Sequence, residues 1–540
     1  MDALRTVNLR NPSTPQTERA DKRQKRNSAG GYSFVANDAT RFRRFLITGT
    51  NGGTYYVSEK KLTNDAVKFV VDYIADNGVA AVNEAVKVSD QALAPSNNQA
   101  LFVIAVALNS DDADTKRAAK EAVIKVARTG THLFTLCEYL KNTGGWGSAK
   151  TKAIAAWYTT RDDEALSYQV AKYRQRDGWT HRDVLRLTHP KGISKDISRF
   201  ILNGEVTETA PVILRDFERL STVASADEAV EAIRDAEVVA WEFLPTGVLK
   251  DKKVWRELAD GGHLPMGAMI RNIARLGKNG AFEDNFHEGK LQVISGDEFT
   301  DIVVNALTNE KKIKRSRIHP MDFLKTIAVV GDGSEGVPHE VITALHTGYE
   351  LSFVNVKDID ASALIGMDVS GSMSSLVNDP RGGWGWGWGD QQGLSCAKAG
   401  ASLIQVIMEA MRKTRVLAFS HKFLELPITK QMSLNEVHRK VQGLNFGSTD
   451  CALPMQYALK KGLEVDAFFV ITDNETWYGD QHPFEALNEY RNRVNPKARL
   501  FVIALSGTEF TIADPDDPLS YDIAGFDSSM MKIVEESFNS

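Results

Sequence analysis

Cysteine is scarce. The chain has 540 residues and three cysteines, Cys137, Cys396 and Cys451. Three scattered thiols build no disulfide framework and show no CxxC zinc spacing, so a reduced, cytoplasmic setting is expected. Cys396 and Cys451 fall on or near helical stretches and read as small core residues. Long apolar runs are missing too. The longest, 100–108, is about half of the roughly 20 residues that a spanning helix needs, so no membrane span is expected. The opening segment 1–12 has no apolar core, and no secretory signal is expected there. Neither sign of charge dominates, with 65 Lys and Arg against 70 Asp and Glu and a net charge of −5. A composition that is 43% hydrophobic and 25% charged excludes disorder of the whole chain.

What is present divides along the chain. Single cores stop growing at roughly 250–300 residues, so two or more domains are expected. Residues 358–540 carry 16 Lys and Arg against 24 Asp and Glu, a charge of −8, and the remainder carries +3. A near-neutral total leaves nucleic-acid binding open, because local patches decide it. Residues 1–31 hold Arg5, Arg10, Arg19, Lys22, Arg23, Lys25 and Arg26 against Asp2, Glu18 and Asp21. With Asn11-Pro12 and Thr14-Pro15 they read as a loose basic arm, a solvated terminus being an equal alternative.

From about 60 to 345 the pattern is helical. Val67, Val70, Val71 and Ile74 fall on one helix face, and Asn77-Gly78 is expected to stop that helix. Further helices are expected at 97–108, 115–128, 131–141, 148–159, 163–176 and 180–188. Short successive helices of this kind stack as an α-solenoid, here without a strict period. After about 358 the rhythm changes. Continuous apolar runs at 363–367, 415–419, 467–472 and 500–505 read as strands buried on both faces, with helices between them at 395–411 and 453–461. Strand–helix alternation predicts an α/β, mostly parallel, doubly wound sheet, whose ligands bind beyond the carboxyl ends of the strands.

The first of those strands ends in Asp368-Val369-Ser370-Gly371-Ser372-Met373. A carboxylate and two alternating hydroxyls on one tight loop are hard oxygen ligands of the kind magnesium favours. Gly447-Ser448-Thr449-Asp450 and Asp473 fall where the same crevice is expected. This set resembles the metal-ion-dependent adhesion site of von Willebrand factor A domains, an Asp-x-Ser-x-Ser loop with a distant Thr and a distant Asp. The resemblance puts a divalent metal, Mg²⁺, on Asp368, Ser370, Ser372, Thr449 and Asp473. Turn and capping roles are the alternative for such residues. A haloacid-dehalogenase-like phosphatase needs a second Asp two residues after the first, and Ser370 stands there, unable to serve as an acid or base at neutral pH.

The helical region carries a longer signature: Phe45-Leu46, Gly52-Gly53-Thr54-Tyr55-Tyr56, Lys60-Lys61-Leu62, the whole stretch from Lys172 to Pro190, Leu264-Pro265-Met266, Arg271-Asn272 and Arg317-Ile318-His319-Pro320. These resemble the TROVE module of the Ro autoantigen family, and the tracts 447–454 and 472–476 resemble that family's A domain. The likeness runs from about 30 to 535. It implies a HEAT-like α-helical repeat ring with a von Willebrand factor A domain, over 32–357 and 358–540. It also implies Y-like non-coding RNA on the outer surface and misfolded or single-stranded RNA ends in the central hole. The family's RNA contacts match Lys172, Arg176 and His189. Arg174, His181, Arg182 and Arg186 are neighbouring additions.

The residues themselves support a basic surface. On a helix over 163–176, Lys172 and Arg176 would point outward together, away from Leu166, Val170 and Tyr173. Asp183 sits at the capping-box position after Thr180. Basic faces are more often merely solvated, and His189 before Pro190 equally suits a helix end. The run Gly382-Gly383-Trp384-Gly385-Trp386-Gly387-Trp388-Gly389, inside an insertion at 378–392, departs from the animal pattern and points to a bacterial- or phage-type member. Its indoles suit base stacking or a self-packed cap. The expectation is a non-enzymatic, monomeric RNA-binding scaffold for RNA quality control or for tethering an effector such as an exoribonuclease. The alternative is a metal-dependent, adhesion-type protein-interaction scaffold.

Overall fold

The structure, a computed structural model, describes residues 13–27, 29–48, 64–94, 96–283, 292–331, 333–370, 373, 396–442, 444, 447–472, 476–505, 510–524 and 529–539. Ser372, Asp473 and the insertion at 378–392 lie outside the described residues. The chain divides into two compact units, one formed by 1–67 with 356–540, the other by 68–355.

The first unit is built on a six-stranded sheet. Its spatial order is Ser520–Ala524, Arg499–Ala504, Ala467–Thr472, Ile359–Asp368, Met411–Phe419, Phe423–Leu426. All neighbours are parallel except the edge strand Phe423–Leu426, which runs antiparallel. The four expected strands are all present. Every residue of Ala467–Thr472 is buried, as a strand covered on both faces requires. On one face Leu364, Phe468, Val470 and Leu500 pack with Met455, Leu487 and Tyr490 of helices Leu453–Lys461 and Pro483–Arg493. On the other, helix Cys396–Ala410 comes so close that a Cβ on Gly400 would stand 2.2 Å from the Met367 methyl. From Ile359–Asp368 the chain passes first to Met411–Phe419 on one side and later to Ala467–Thr472 on the other. The strand order therefore reverses at Asp368, which is where such sheets bind ligands.

The amino-terminal segment departs from the expected loose arm. Strand Gln24–Arg26 pairs with Tyr32–Val35, and Tyr32–Val35 pairs with Phe510–Thr511 of the same unit. Arg23 bridges Asp21 at 2.9 Å and Asp514 at 2.7 Å and lies over the Phe34 ring. Helix Asp38–Thr48 also belongs here, with Arg44 in a buried ion pair with Asp522. A boundary near 31 was expected; the structure groups 1–67 with 356–540, and these cations have partners about five hundred residues away, which no local pattern reveals.

The second unit is helical. The longest apolar run becomes helix Asn98–Ala107, buried from Ala100 through Ala107. A helix apolar all round is a core helix, and it packs against Ala113–Val126 and Gly130–Thr143. Later helices likewise touch partners a few elements along the chain, as Gly296–Thr308 and Pro320–Val330 touch His339–Leu351. The expected stop at Asn77-Gly78 is instead a kink inside Asn64–Asp90, with Asn77 at φ −131°. Thr115 packs so tightly on Gly78 that a Cβ there would lie 1.9 Å from its hydroxyl. Val70 and Ile74 are buried as expected, but Val71 is 44% exposed, so the apolar stripe is narrower than its spacing implied.

Candidate functional site

The crevice at the sheet's switch point is organised around Asp368. Its side chain is fully buried. Oδ1 accepts the Ser370 amide at 2.8 Å, and Oδ2 accepts the Thr472 hydroxyl, also at 2.8 Å. Thr472 is the last residue of the neighbouring strand, so the carboxylate spans two strand ends. The loop after Asp368 is held to the next strand by the Val369 amide on the Phe419 carbonyl, 3.0 Å, and the Asp450 amide bonds Ser420 at the same end, 2.8 Å. Thr449 and Ser370 are buried there. The thiol of Cys451 lies 3.9 Å from the Thr472 hydroxyl, which ties the Thr449 loop to the same corner.

Three of the five expected metal residues, Asp368, Ser370 and Thr449, therefore gather at one end of the sheet. Ser372 and Asp473 lie outside the described residues. Among the described residues no three His, Cys, Asp or Glu side chains form a metal-holding group. A site here would draw on hydroxyls as well as carboxylate, and that donor set fits a hard ion such as Mg²⁺. The nearby sulfur is no competitor. Burial, and then the charge of Asp368, push the Cys451 thiol well up, so it stays protonated.

Sequence reasoning gave no role to two residues in this corner. Thr472 fixes the Asp368 carboxylate as described. Asp450 is buried, and desolvation pushes its carboxyl up to about 7 despite hydrogen bonds from the Ala452 amide and Gln16. Both lie inside tracts that the family resemblance had marked, and Asp450 also stands beside Thr449 where the crevice was expected.

The basic surface of the helical unit differs in detail from its expectation. Helix Asp163–Lys172 ends at Lys172, ten residues long rather than fourteen. Asp177 and Gly178 take positive φ, 53° and 80°, and form a hairpin turn of the Asp-Gly kind. Gln175–Arg176 pairs across it with Trp179–Thr180. Lys172 and Arg176 thus sit on different elements. Lys172 is half-buried, 3.2 Å from Glu242, hydrogen-bonded to the Tyr168 hydroxyl and placed over the Tyr168 and Tyr173 rings. Arg176 is exposed on the hairpin, 3.7 Å from Asp177. Arg174 is exposed with its guanidinium over Phe217.

The next helix, His181–Thr188, opens with the expected capping box of Thr180 and Asp183. Arg182 and Arg186 lie on its exposed side, opposite buried Val184 and Leu185, and among the described residues neither is in an ion pair. His189 is exposed and closes the helix in the left-handed conformation, φ 44°.

His181 is corrected: it belongs to the core. It is 4% exposed, its Nδ1 lies 2.8 Å from the Tyr158 hydroxyl, and its ring stacks on Trp157 and tilts against Phe134. As the first residue of the helix it faces inward with Val184 and Leu185, a placement its position between basic neighbours concealed. Burial pushes it down to about 3 from an ordinary 6.5, and pushes His132 down to about 4. Both are neutral in the folded unit. Unfolded histidine takes up a proton below about pH 6.5, so stability is fully present above that pH and falls as the pH drops toward 4. Each proton contributes a slope of about 1.4 kcal/mol per pH unit. Asp450, whose carboxyl is raised to about 7, works in the opposite direction over the same range. The check is therefore a difference: in thermal melts between pH 7 and 4.5 the unaltered protein should lose more stability than His181→Phe, which keeps the stacking.

Known proteins account for the combination of these two units. The model of the TROVE domain matches residues 25–237 and 218–336, and that of the Ro60 vWA domain matches 362–538. The RNA-binding protein RO60 of Deinococcus radiodurans is 34% identical over 98% of this chain and 98% of its own. The RNA-binding protein RO60 of Caenorhabditis elegans is 32% identical over 96% of this chain and 91% of its own. The crystal structure of the Deinococcus radiodurans RO (RSR) protein superposes with a TM-score of 0.74 at 30% identity, over 93% of this chain and 100% of that one. A TROVE domain, a Ro60-type A domain and end-to-end likeness at this identity place the chain in the Ro60 family.

Proposed function

We propose that this chain is a non-enzymatic RNA-binding scaffold. In the ring form that the family resemblance implies, it holds a Y-like non-coding RNA on its outer surface and takes misfolded or single-stranded RNA ends into the central hole. The work is RNA quality control or the tethering of an effector such as an exoribonuclease, by a monomer in the cytoplasm. The observation that carries the RNA reading is the exposed basic set around one hairpin and helix, Arg174, Arg176, Arg182, Arg186 and His189, in a chain whose end-to-end relatives are named RNA-binding proteins. Cations one helical turn apart suit phosphates, and A-form RNA also offers 2′-hydroxyls on its shallow groove. Lys172 belongs to this surface as a residue already paired with Glu242. His181 supports it from beneath by packing the helix.

The crevice at Asp368 supports a second element of the proposal, a Mg²⁺ ion on Asp368, Ser370 and Thr449, with Ser372 and Asp473 completing the set. Such an ion, held by these residues, would bind a partner's carboxylate, and that is the basis of the other reading, an adhesion-type scaffold. The test is direct. Protein purified from cells should carry RNA, seen as a raised 260 to 280 nm absorbance ratio that ribonuclease abolishes, and the cleared protein should shift structured RNA in gels. Nucleic-acid-free protein that shifts no RNA would reject the RNA reading and leave the adhesion-type one.

A further inference from the structure

We infer that Gln16, far from the crevice in sequence, is a positioning residue for the metal-binding loops. It joins the loop that carries Thr449 to the loop that follows Asp473. The inference rests on the reading of the Asp368 crevice as a Mg²⁺ site.

Gln16 is fully buried, and its main-chain and side-chain polar groups are all engaged. Its side-chain amide donates to Asp450 Oδ1 at 2.7 Å and to the Gln481 carbonyl at 3.0 Å, and its Oε1 accepts the Thr476 hydroxyl. Its own amide donates to the Gly479 carbonyl at 3.0 Å, and its carbonyl accepts the Tyr32 amide at 2.8 Å. One side chain thus touches the residue after Thr449 and a residue three positions beyond Asp473.

The two loops also meet directly. The Thr449 carbonyl accepts the amides of Trp477 and Tyr478 at 3.2 and 3.1 Å. The Thr476 hydroxyl stands 3.3 Å from the Cys451 amide. A Cβ on Gly479 would lie 2.4 Å from Asp450 Oδ2, so the contact leaves no slack. Asn27, from the same amino-terminal segment, grips Thr476 at its carbonyl, 2.7 Å.

Asp450 has anchors of its own, the Ser420 carbonyl on its amide and the Ala452 amide on its carboxylate. Its location is therefore secured without Gln16. What Gln16 supplies is the relative setting of the two loops. A small ion that demands near-ideal geometry responds to such a setting, and supports behind metal ligands are worth about ten- to a hundredfold in affinity.

The test uses the full chain and Mg²⁺ alone. Gln16→Glu keeps the shape and replaces the donor to Asp450 with an acceptor. Gln16→Ala removes all three side-chain bonds. Asp368→Ala serves as the reference for loss of the site. Mg²⁺ titration calorimetry is run well below the melting temperature, which is measured separately without metal. Both Gln16 variants should bind Mg²⁺ about ten- to a hundredfold more weakly than the unaltered protein, and Asp368→Ala should show no saturable binding. If the Gln16 variants melt at lower temperature yet keep the unaltered dissociation constant, Gln16 merely stabilises the fold and the inference is overturned. If Gln16→Ala does not fold, Gln16→Glu decides alone. If the unaltered protein binds no Mg²⁺, or Asp368→Ala binds it equally well, the crevice reading itself fails and takes the inference with it.

Discussion

Asp368→Ala is expected to eliminate saturable Mg²⁺ binding while both units stay folded and RNA binding persists. The carboxylate is the one charged ligand among the three described residues of the set, and two hydroxyls do not offset the dehydration of a small divalent ion. In the metal-free protein the change acts in two directions. The Ser370 amide and the Thr472 hydroxyl each lose one hydrogen bond, at a cost of about 0.5–1.5 kcal/mol apiece. Against this, a buried negative charge is removed, and that relieves a desolvation penalty of several kcal/mol. The net effect on stability should be small next to the loss of metal. Asp368→Asn separates the terms, because it keeps an acceptor for the Ser370 amide but removes the charge. Calorimetry that finds unaltered Mg²⁺ affinity in Asp368→Ala would sink the metal assignment, and loss of RNA binding in the same variant would show that the proposed separation of roles is wrong.

Arg182→Ala combined with Arg186→Ala should weaken RNA binding by about a hundredfold, since a charge-assisted hydrogen bond is worth roughly 1.5 kcal/mol or more and 1.4 kcal/mol is about tenfold. The slope of log affinity against log salt should fall by roughly 0.7–0.9 for each phosphate that is no longer neutralised. Both cations are exposed and outside any ion pair among the described residues, so removing them strands no buried partner, and the melting temperature should hardly move. Lys172→Ala should behave differently. Its ammonium already faces Glu242 and two tyrosine rings, so phosphate binding there competes with an existing pair, and the slope should change less than for either arginine. Filter binding at several salt concentrations reads both quantities. A double variant with unaltered affinity and slope would move the RNA to another face.

The strands were legible because each is a continuous apolar run closed by a polar turn, and the crevice followed from the strand order. That Asp368, Ser370 and Thr449 gather at the strand ends was legible for a related reason: polar residues that close buried strands have a short local pattern. The helix expected over 163–176 was not. Its apolar stripe continued through Tyr173, but Asp177 and Gly178 take positive φ, which suits a hairpin, and the helix ends at Lys172. His181 was misread because one buried position at the start of a basic helix looks like its neighbours until Trp157, Tyr158 and Phe134 are seen around it.

By itself the sequence determined the class of each unit, the order of the strands' polar ends and the family, because periodicity, apolar runs and short motifs are properties of adjacent residues. Tertiary structure alone decided which cations face solvent and which are neutralised, that Arg23 and Gln16 bind the far end of the chain, and that the amino-terminal segment belongs with the A domain. Those outcomes depend on partners such as Glu242, Asp514 and Asp450. Their distance in space is set by packing the whole unit, and no local pattern of residues carries it.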